Sequence, residues 1–317
     1  MGAGSPGTNI IWALALISTL SLIHPSEGDR TGMSRRDAFL SKESVLDMAP
    51  SSYDDQYKGC TEAMEAEIPT LFQYEYSSNK DFAEAWDSAT FRWEERKGKM
   101  VVPPGFKDQY AIAIFAYTSS GPLHRIFNEA VRQAGQSRQY YLTNFNFKVL
   151  HYYLTRALQM LDAVESPTCH KVFRGIKGVR FKSEPRKPVR FGQFTSSSKD
   201  DQSALSFGED TFFSIHTCYG VNIRNFSFFP SEEEVLIPPF EKFKVTDFST
   251  MSRKNIITLQ SVEKSSVYNC EFVKERRCKA SWCPFSSATG PGMGILQIIP
   301  SCWLILLWGP LGGLLLP

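Results

Sequence analysis

The chain has 317 residues, of which 42% are hydrophobic and 21% charged, as in an ordinary globular protein with one or two domains' worth of core. This composition excludes a disordered or a fibrous chain. The formal net charge is +2, and 35 basic residues are interspersed with 33 acidic ones without a long basic block, so no nucleic-acid partner is expected.

The first predicted element is a secretory signal peptide over residues 1–28. Residues 10–22, IIWALALISTLSL, form an apolar run of signal-peptide length, and the polar, small-residue segment HPSEG follows it. No Lys or Arg precedes the run, which weakens the pattern slightly. Residues 29–47 are polar and are predicted to form a mobile lead-in to a folded domain over 48–279.

Helical periodicity dominates the first half of that domain. Apolar residues recur at helical intervals in four segments, 54–75, 80–97, 111–133 and 147–161. The third of these is typical of a helix, a turn and a second helix, and the run Pro103, Pro104 and Gly105 interrupts the pattern before it. The aromatic residues of these segments are expected to lie in the core.

After Cys169 the pattern changes to short β-branched or aromatic runs separated by Gly, Pro and Ser, which is typical of strands. The runs are KVFRGI, KPVRFGQFTS, TFFSIHTCYGV, EVLIPP, FEKFKVTDF and NIITLQSV. Helices followed by strands predict an α+β protein and not a βαβ alternation. No G-x-G-x-x-G opens a helix after a strand, so a Rossmann fold is not expected, and no internal repeat is visible.

The chain closes on a charge-free segment with the order of a glycolipid-anchor signal. Residues 280–317 carry no charged side chain. Within them 280–293 is predicted to be the anchor-site spacer and 294–317 the apolar tail that is removed, with attachment at one of the small residues Ser286, Ser287 and Ala288. A transmembrane or buried terminal helix is the alternative. Two prolines in the tail and the lack of a following basic residue disfavour it.

Cysteine usage agrees with a secreted protein. Seven cysteines are present, and Cys302 lies in the tail that anchoring would remove, which leaves an even number for disulfides. Spacings typical of zinc sites are absent, so no metal is expected, and the cysteine pairing stays open at this point. Asn225-Phe226-Ser227 is the only N-x-S/T sequon, and it predicts a surface glycan on Asn225.

Three polar elements stand at the ends or edges of predicted strands in the second half. Arg174 follows KVF, a serine run closes FGQFT, and the glutamates at 232–234 open VLIPP. Each has a structural alternative, because strand arginines often pair with carboxylates, serine runs make turns, and glutamate runs are usually solvated. On a strand, Glu232 and Glu234 would point to one face and Glu233 to the other, which predicts two inward carboxylates with a solvated spacer.

Taken together, these elements resemble the vertebrate arginine-specific ecto-mono-ADP-ribosyltransferases, relatives of bacterial toxins whose site is summarised as R-S-E. The resemblance extends from about Met48 to Cys278. It rests on six segments in family order: VLDMAPSSYDDQYKGC, AYTSSGPLHRIFNEAVR, FKVLHYYLTRALQML, VFRG, VRFGQFTSSS and EEEVLIPPFEKFKV. It implies a helical N-terminal half packed on a C-terminal two-sheet β core of the ADP-ribosyltransferase, toxin-like type.

The resemblance implies an enzyme that transfers ADP-ribose from NAD to arginine side chains of extracellular or cell-surface proteins, with inversion at the ribose C1 and release of nicotinamide. NAD, or NADP, is then a co-substrate and not a tightly bound cofactor. The glycolipid would hold the enzyme, as a monomer, on the outer leaflet of the plasma membrane. The alternatives are an NAD glycohydrolase, in which water outcompetes arginine, and an inactive surface antigen of the same family.

Carried over residue by residue, the resemblance assigns the family's arginine to Arg174 and its Ser-Thr-Ser motif to Ser196-Ser197-Ser198, where the middle Thr is replaced by Ser. Arg174 is expected to lie against the NAD phosphates, since its fixed fork of donors suits two anionic groups. Gly175 is expected to let the backbone approach the nicotinamide amide closely.

The remaining expected NAD contacts are Gln193 and an aromatic ring on the nicotinamide. Phe207 is the first candidate for that ring and Phe194 the second, with core packing as the alternative for both. The family's E-x-E motif falls on residues 232–234. Glu234, held by the Ser196 hydroxyl, is expected to stabilise the positive charge that develops at the ribose C1. Glu232 is expected to accept the substrate guanidinium and take its proton.

The same resemblance implies two disulfides. One joins Cys60 to Cys270 and the other joins Cys169 to Cys218. Each is expected to stabilise the domain by closing a long loop in the unfolded chain. Residues 278 and 283 are then left, and these two cysteines could pair with each other.

Overall fold

The structure is a computed structural model that describes residues 41–165, 168–252 and 254–274. In the described residues six of the seven α-helices precede nine of the ten strands, and the α+β class expected from the sequence is confirmed. The helices are α1 Thr61–Ser78, α2 Lys80–Arg96, α3 Asp108–Tyr117, α4 Leu123–Ala134, α5 Arg138–Asn144, α6 Lys148–Asp162 and α7 Asp201–Ser206. The strands are β1 Lys42–Val45, β2 His170–Ile176, β3 Val179–Lys182, β4 Pro188–Val189, β5 Thr195–Ser198, β6 Thr211–Thr217, β7 Val221–Asn222, β8 Glu234–Ile237, β9 Glu241–Met251 and β10 Lys254–Lys264.

Two helices of the first half begin at polar N-caps. The Asn79 side chain accepts a hydrogen bond from the Phe82 N–H at the start of α2, and the Ser137 hydroxyl accepts one from the Tyr140 N–H in α5. The buried faces of the helices meet in an aromatic core that includes Phe82, Trp86, Trp93, Phe115, Phe127 and Tyr152. Phe91 departs from the expectation for these segments, because its side chain is 69% exposed.

Eight strands form one sheet in the order β4-β9-β10-β6-β2-β5-β8-β7, and β1 and β3 form a separate parallel pair. Within the large sheet β6 and β10 are parallel and the other neighbours antiparallel. Successive residues of β8 enter two different cores: Leu236 packs with the helices, whereas Val235 and Ile237 pack in the second core. The sheet is therefore covered on both faces, which explains why EVLI has no exposed position.

The N-terminal boundary differs from the prediction. The lead-in predicted over 29–47 ends too late, because residues 42–45 form β1 and pair with β3. The helix predicted over 54–75 begins only at Thr61, since the preceding loop is buried and tied to the end of the domain. In that loop Asp54 accepts hydrogen bonds from the backbone N–H groups of Val267 and Tyr268.

Disulfides join Cys60 to Cys270, 210 residues apart, and Cys169 to Cys218. The signal peptide, the anchor-site residues 286–288, the apolar tail and residues 278 and 283 lie outside the described residues. Among the helices that the structure does describe, none has the length and hydropathy needed to cross a membrane.

Candidate active site

A cavity of about 760 Å³ opens beside β2, β5 and β8. Its walls carry Arg174 from β2, Ser196 from β5, Glu232 and Glu234 from the segment that enters β8, and residues of the α3–α4 region such as Tyr117. Because β2, β5 and β8 are neighbours in the sheet, residues 60 positions apart in the sequence meet at one site. The sheet order is what assembles the predicted R-S-E residues.

Arg174 is half-buried, and its guanidinium donates to the Ser196 carbonyl oxygen at 2.5 Å. Burial lowers the pKa of Arg174, while the nearby Tyr117 and Glu234 raise it. The guanidinium carries five N–H donors and lines a cavity large enough for a ligand. Such a fork can bind two anionic oxygens at once.

Gly175, the next residue of β2, has a packing reason to be glycine. A Cβ at this position would lie 2.2 Å from the Ala204 carbonyl oxygen and 2.3 Å from the Gly208 carbonyl oxygen. Both obstacles are backbone atoms at the end of α7, so a side chain here would force the helix or the strand to move. The close approach of α7 brings Phe207 to the rim of the cavity.

The three serines of β5 have different partners. Ser197 donates to the Val235 carbonyl oxygen at 2.7 Å and Ser198 to the Glu232 carbonyl oxygen at 2.6 Å, so both hold the segment that enters β8. The Ser196 hydroxyl hydrogen-bonds the Glu234 carboxylate, an interaction that lowers the pKa of that group. The first serine therefore reaches the site, and the other two secure its frame.

Glu234 is 5% exposed, and burial raises its pKa to about 7. The Ser196 and Ser227 hydroxyls and the Arg174 charge lower this pKa, whereas the Glu232 charge raises it. A carboxylate in a poorly solvated wall, with its charge balanced by only a few groups, interacts strongly with positive charge that develops beside it.

The prediction that Glu232 and Glu234 share one strand is wrong. Glu232 ends a short 3-10 turn that Pro230 begins, Glu233 has a left-handed backbone with φ of 47°, and only Glu234 belongs to β8. Glu232 and Glu234 nevertheless line the same cavity, while Glu233 forms a surface ion pair with Arg224 at 3.1 Å. The turn, and not a strand as predicted, directs the Glu232 and Glu234 side chains into the cavity and the Glu233 side chain to the surface.

Of the other predicted NAD contacts, some line the cavity and some do not. Phe207 lines the cavity and is 54% exposed, but Phe194 is fully buried and stacks on Phe127 in the helical core. Core packing, the alternative stated for Phe194, is therefore what the structure contains. The Gln193 side chain accepts a hydrogen bond from Arg132 and does not line the cavity.

Several residues of the site were not predicted from the sequence. Tyr117 donates to the Phe194 carbonyl oxygen at 2.9 Å and stands in the cavity wall, and His124, Arg125 and Phe229 line the same space. The segment AYTSSGPLHR contained the first three and was one of the six that carried the resemblance, so it was the available signal.

One group of potential metal ligands lies elsewhere in the part of the chain that is described. Ligand atoms of Cys169, His216 and Cys218 lie within 4.8 Å of one another. Both sulfurs are bonded to each other in the disulfide, so neither is available as a thiolate. The predicted glycan site, Asn225, is exposed on the turn before β8.

In this α+β fold a guanidinium and a buried carboxylate face one cavity, an arrangement suited to binding an anionic substrate and stabilising positive charge that develops beside the carboxylate. A family model described as NAD:arginine ADP-ribosyltransferase matches residues 46–267. This chain belongs to that family, and the resemblance drawn from its sequence is confirmed.

Curated relatives agree over most of the chain. It is 52% identical over 246 residues to the erythroblast NAD(P)(+)--arginine ADP-ribosyltransferase of Gallus gallus, which covers 78% of this chain and 82% of the relative. It is 43% identical over 307 residues to the GPI-linked NAD(P)(+)--arginine ADP-ribosyltransferase 1 of Homo sapiens, with 92% and 93% covered.

Solved structures confirm the fold. The crystal structure of the eucaryotic mono-ADP-ribosyltransferase ART2.2 superposes with a TM-score of 0.64 at 42% identity, covering 71% of this chain and 98% of that one. A mutant of the same enzyme in complex with NAD gives a TM-score of 0.63 at 41% identity over the same shares of the two chains.

Proposed function

We propose that this protein is an arginine-specific mono-ADP-ribosyltransferase that moves ADP-ribose from NAD to arginine side chains of extracellular proteins. The observation that carries the proposal is the convergence of Arg174, Ser196 and Glu234 from three neighbouring strands on one cavity. Family membership and an NAD complex of a relative with the same fold support NAD as the co-substrate.

Arg174 binds the diphosphate of NAD in this mechanism. Its guanidinium presents paired N–H donors to the cavity, and charge-assisted bonds to two phosphate oxygens fix both position and direction. The Ser196 carbonyl oxygen already orients the guanidinium from the neighbouring strand. The nicotinamide ribose then lies toward Glu234, and Phe207 stands at the rim for the nicotinamide ring.

Glu234 stabilises the transition state of bond cleavage. As the bond from the ribose C1 to the nicotinamide nitrogen breaks, its electron pair leaves with neutral nicotinamide and positive charge spreads over C1 and the ring oxygen. The ionised Glu234 carboxylate stabilises that charge electrostatically. Glu234 is only 5% exposed to solvent, so little water screens the interaction. The Ser196 hydroxyl holds the carboxylate from β5.

Glu232 receives the acceptor. It is half-buried in the turn before β8, and burial raises its pKa, so the carboxyl is a better proton acceptor than an exposed glutamate. Hydrogen bonds to the substrate guanidinium would place one nitrogen on the face of C1 opposite to the departing nicotinamide. Attack inverts C1, and the proton passes to Glu232.

The decisive experiment incubates purified protein with labelled NAD and free arginine, and measures nicotinamide release and ADP-ribosyl-arginine in the same samples. The expected result is nearly equal amounts of the two products, with neither formed by Glu234→Gln. Nicotinamide without labelled arginine would make the protein an NAD glycohydrolase. The absence of both products from folded protein would exclude the proposal.

The terminal signals and the relatives named GPI-linked support a location on the cell surface. An apolar tail behind small residues 286–288 suits a glycolipid anchor, and such an anchor places the enzyme on the outer face of the plasma membrane. Phosphatidylinositol-specific phospholipase should release the protein from cells. Retention after complete digestion, with the tail still attached, would contradict the anchor.

A further inference from the structure

Ser227 lies in the turn between β7 and β8 and is completely buried. Its hydroxyl accepts a hydrogen bond from the Phe229 N–H at 3.0 Å, and its Oγ lies 3.4 Å from Oε2 of Glu234 as the donor of a long hydrogen bond. Because the Phe229 N–H occupies an acceptor position, the hydroxyl proton is free to point at the carboxylate. Catalytic hydrogen bonds are often long in the absence of substrate and shorten when it binds.

The turn that carries Ser227 is fixed by the helices. Arg96 of α2 donates to the Ser227 carbonyl oxygen at 3.4 Å and to the Asn225 carbonyl oxygen at 3.5 Å. The Phe228 N–H donates to the Thr118 hydroxyl at 3.3 Å at the end of α3. The distance between Ser227 and Glu234 is therefore set by the packing of the helical layer against the sheet.

Ser227 does not line the cavity, in contrast to Ser196, which also hydrogen-bonds Glu234. A bound NAD molecule would touch Ser196 and not Ser227. We propose that Ser227 is a positioning residue, which holds Oε2 of Glu234 from behind and favours the ionised carboxylate while the ribose bond breaks. This inference rests on the proposed function of Glu234.

The test is the pH dependence of NAD hydrolysis by Ser227→Ala. Removing a donor to the charged form raises the pKa of Glu234, so the acidic limb of kcat should move up by about half a unit to one unit, and the rate near that limb should fall about 3- to 10-fold. KM for NAD should stay within about 2-fold of the wild type, because Ser227 does not line the cavity.

The other groups that affect this titration are unchanged in the variant. Arg174 from β2, Glu232 from the turn before β8 and Tyr117 from α3 interact electrostatically with Glu234, and His124 from α4 interacts with Arg174. A variant that only loosened the fold would lower the melting temperature or the active fraction. It would leave the acidic limb of kcat at its wild-type pH.

Ser227 is also the third residue of the sequon, so Ser227→Ala removes a glycan signal together with a hydroxyl. Asn225→Gln is the matched control, since it removes the sequon and keeps the hydroxyl. In Asn225→Gln the acidic limb of kcat should stay at its wild-type pH. Ser227→Cys keeps a side chain of similar size with only a weak donor, so its acidic limb should move in the same direction by a smaller amount. This variant carries the test if Ser227→Ala does not fold.

An unshifted limb in folded Ser227→Ala or Ser227→Cys, with wild-type kcat, would overturn the inference. So would an equal shift in Asn225→Gln, which would assign the effect to the glycan. The proposed function fails in a different way, namely if the wild type releases no nicotinamide from NAD.

Discussion

Two buried glutamates, one in the helical layer and one in the sheet, share a pKa that burial raises to about 7. Glu75 of α1 accepts hydrogen bonds from the backbone N–H groups of Lys148 at 2.8 Å and Val149 at 3.0 Å, and so caps the start of α6. The Glu234 carboxylate has the Ser196 and Ser227 hydroxyls as hydrogen-bond partners and faces a cavity.

A raised pKa has a different meaning for each of these two carboxyl groups. Glu75 is 1% exposed and its oxygens are occupied by the backbone, so no substrate can reach them. Glu234 has an equal pKa but lines a space of about 760 Å³ together with Arg174. A raised pKa therefore reports burial in both regions, and access to a cavity distinguishes Glu234 as the candidate catalytic group.

The largest expected effect comes from Glu234→Gln, which removes the charge that opposes the developing cation. Nicotinamide release and arginine labelling should both fall by about 10²–10³-fold or more. The melting temperature should stay the same or rise at pH 8, because the wild-type fold buries an ionised carboxylate there. Both activities are measured on one purified preparation, and a variant that kept either one would break the assignment.

The second prediction concerns the pH dependence of stability. Burial raises the pKa of Glu75 in the folded state from its ordinary value of 4.5 to about 7. Between these values the folded state binds more protons than the unfolded state, so stability falls as pH rises. Glu75→Gln should remove up to about 3 kcal/mol of that fall, which chemical denaturation at pH 5 and pH 8 measures. NAD hydrolysis should be unchanged. A pH slope identical to that of the wild type would show that Glu75 does not titrate in this range.

The third prediction compares the roles of Glu232 and Glu234 within the site. Glu232→Gln loses a charge-assisted contact to the acceptor worth about 1.5–3 kcal/mol, so transfer to arginine should fall roughly 10- to 150-fold. Nicotinamide release should persist, because Glu234 and Arg174 remain. Parallel assays of the two products decide the point, and equal loss of both would return Glu232 to a general role in cleavage.

The smallest effect is expected from Glu233→Gln. Glu233 lies directly between the two catalytic candidates in the sequence, yet its partner is Arg224 on the surface. Surface ion pairs contribute about 0–1 kcal/mol, so stability should change by no more than this and both activities should remain. A transfer rate as low as that of Glu232→Gln would mean that the turn, and not one carboxylate, is what the acceptor needs.

Local patterns in the sequence predicted most of the helices and six of the strand regions, because period and breakers act over a few residues. They did not predict β1 or β3, which are short and become strands only by pairing with each other across more than 130 residues. α7 was also overlooked. The position of α7 depends on Gly175 of β2, because a side chain there would collide with the backbone of the helix.

The residues that line the candidate site were proposed from the sequence, but their geometry was not. Arg174, Ser196 and Glu234 came from the resemblance, whereas their meeting depends on the non-local strand order β2-β5-β8. Phe207 was the first candidate for the nicotinamide ring and Phe194 the second, and tertiary packing exposes the first and buries the second. Ser227 was noticed solely as part of a sequon, since no local pattern reports a contact with Glu234.

The bond between Cys60 and Cys270 has a mechanical consequence. Tension applied between the two ends of the domain reaches these sulfurs before it reaches the strands and helices between them. A covalent bond carries pulling forces that would separate hydrogen-bonded strands, so the residues enclosed between the two cysteines are shielded from the load. For a protein held at one end by a membrane and pulled by a bound partner, reduction of this single bond would decide whether the force stretches the tether or unravels the catalytic sheet.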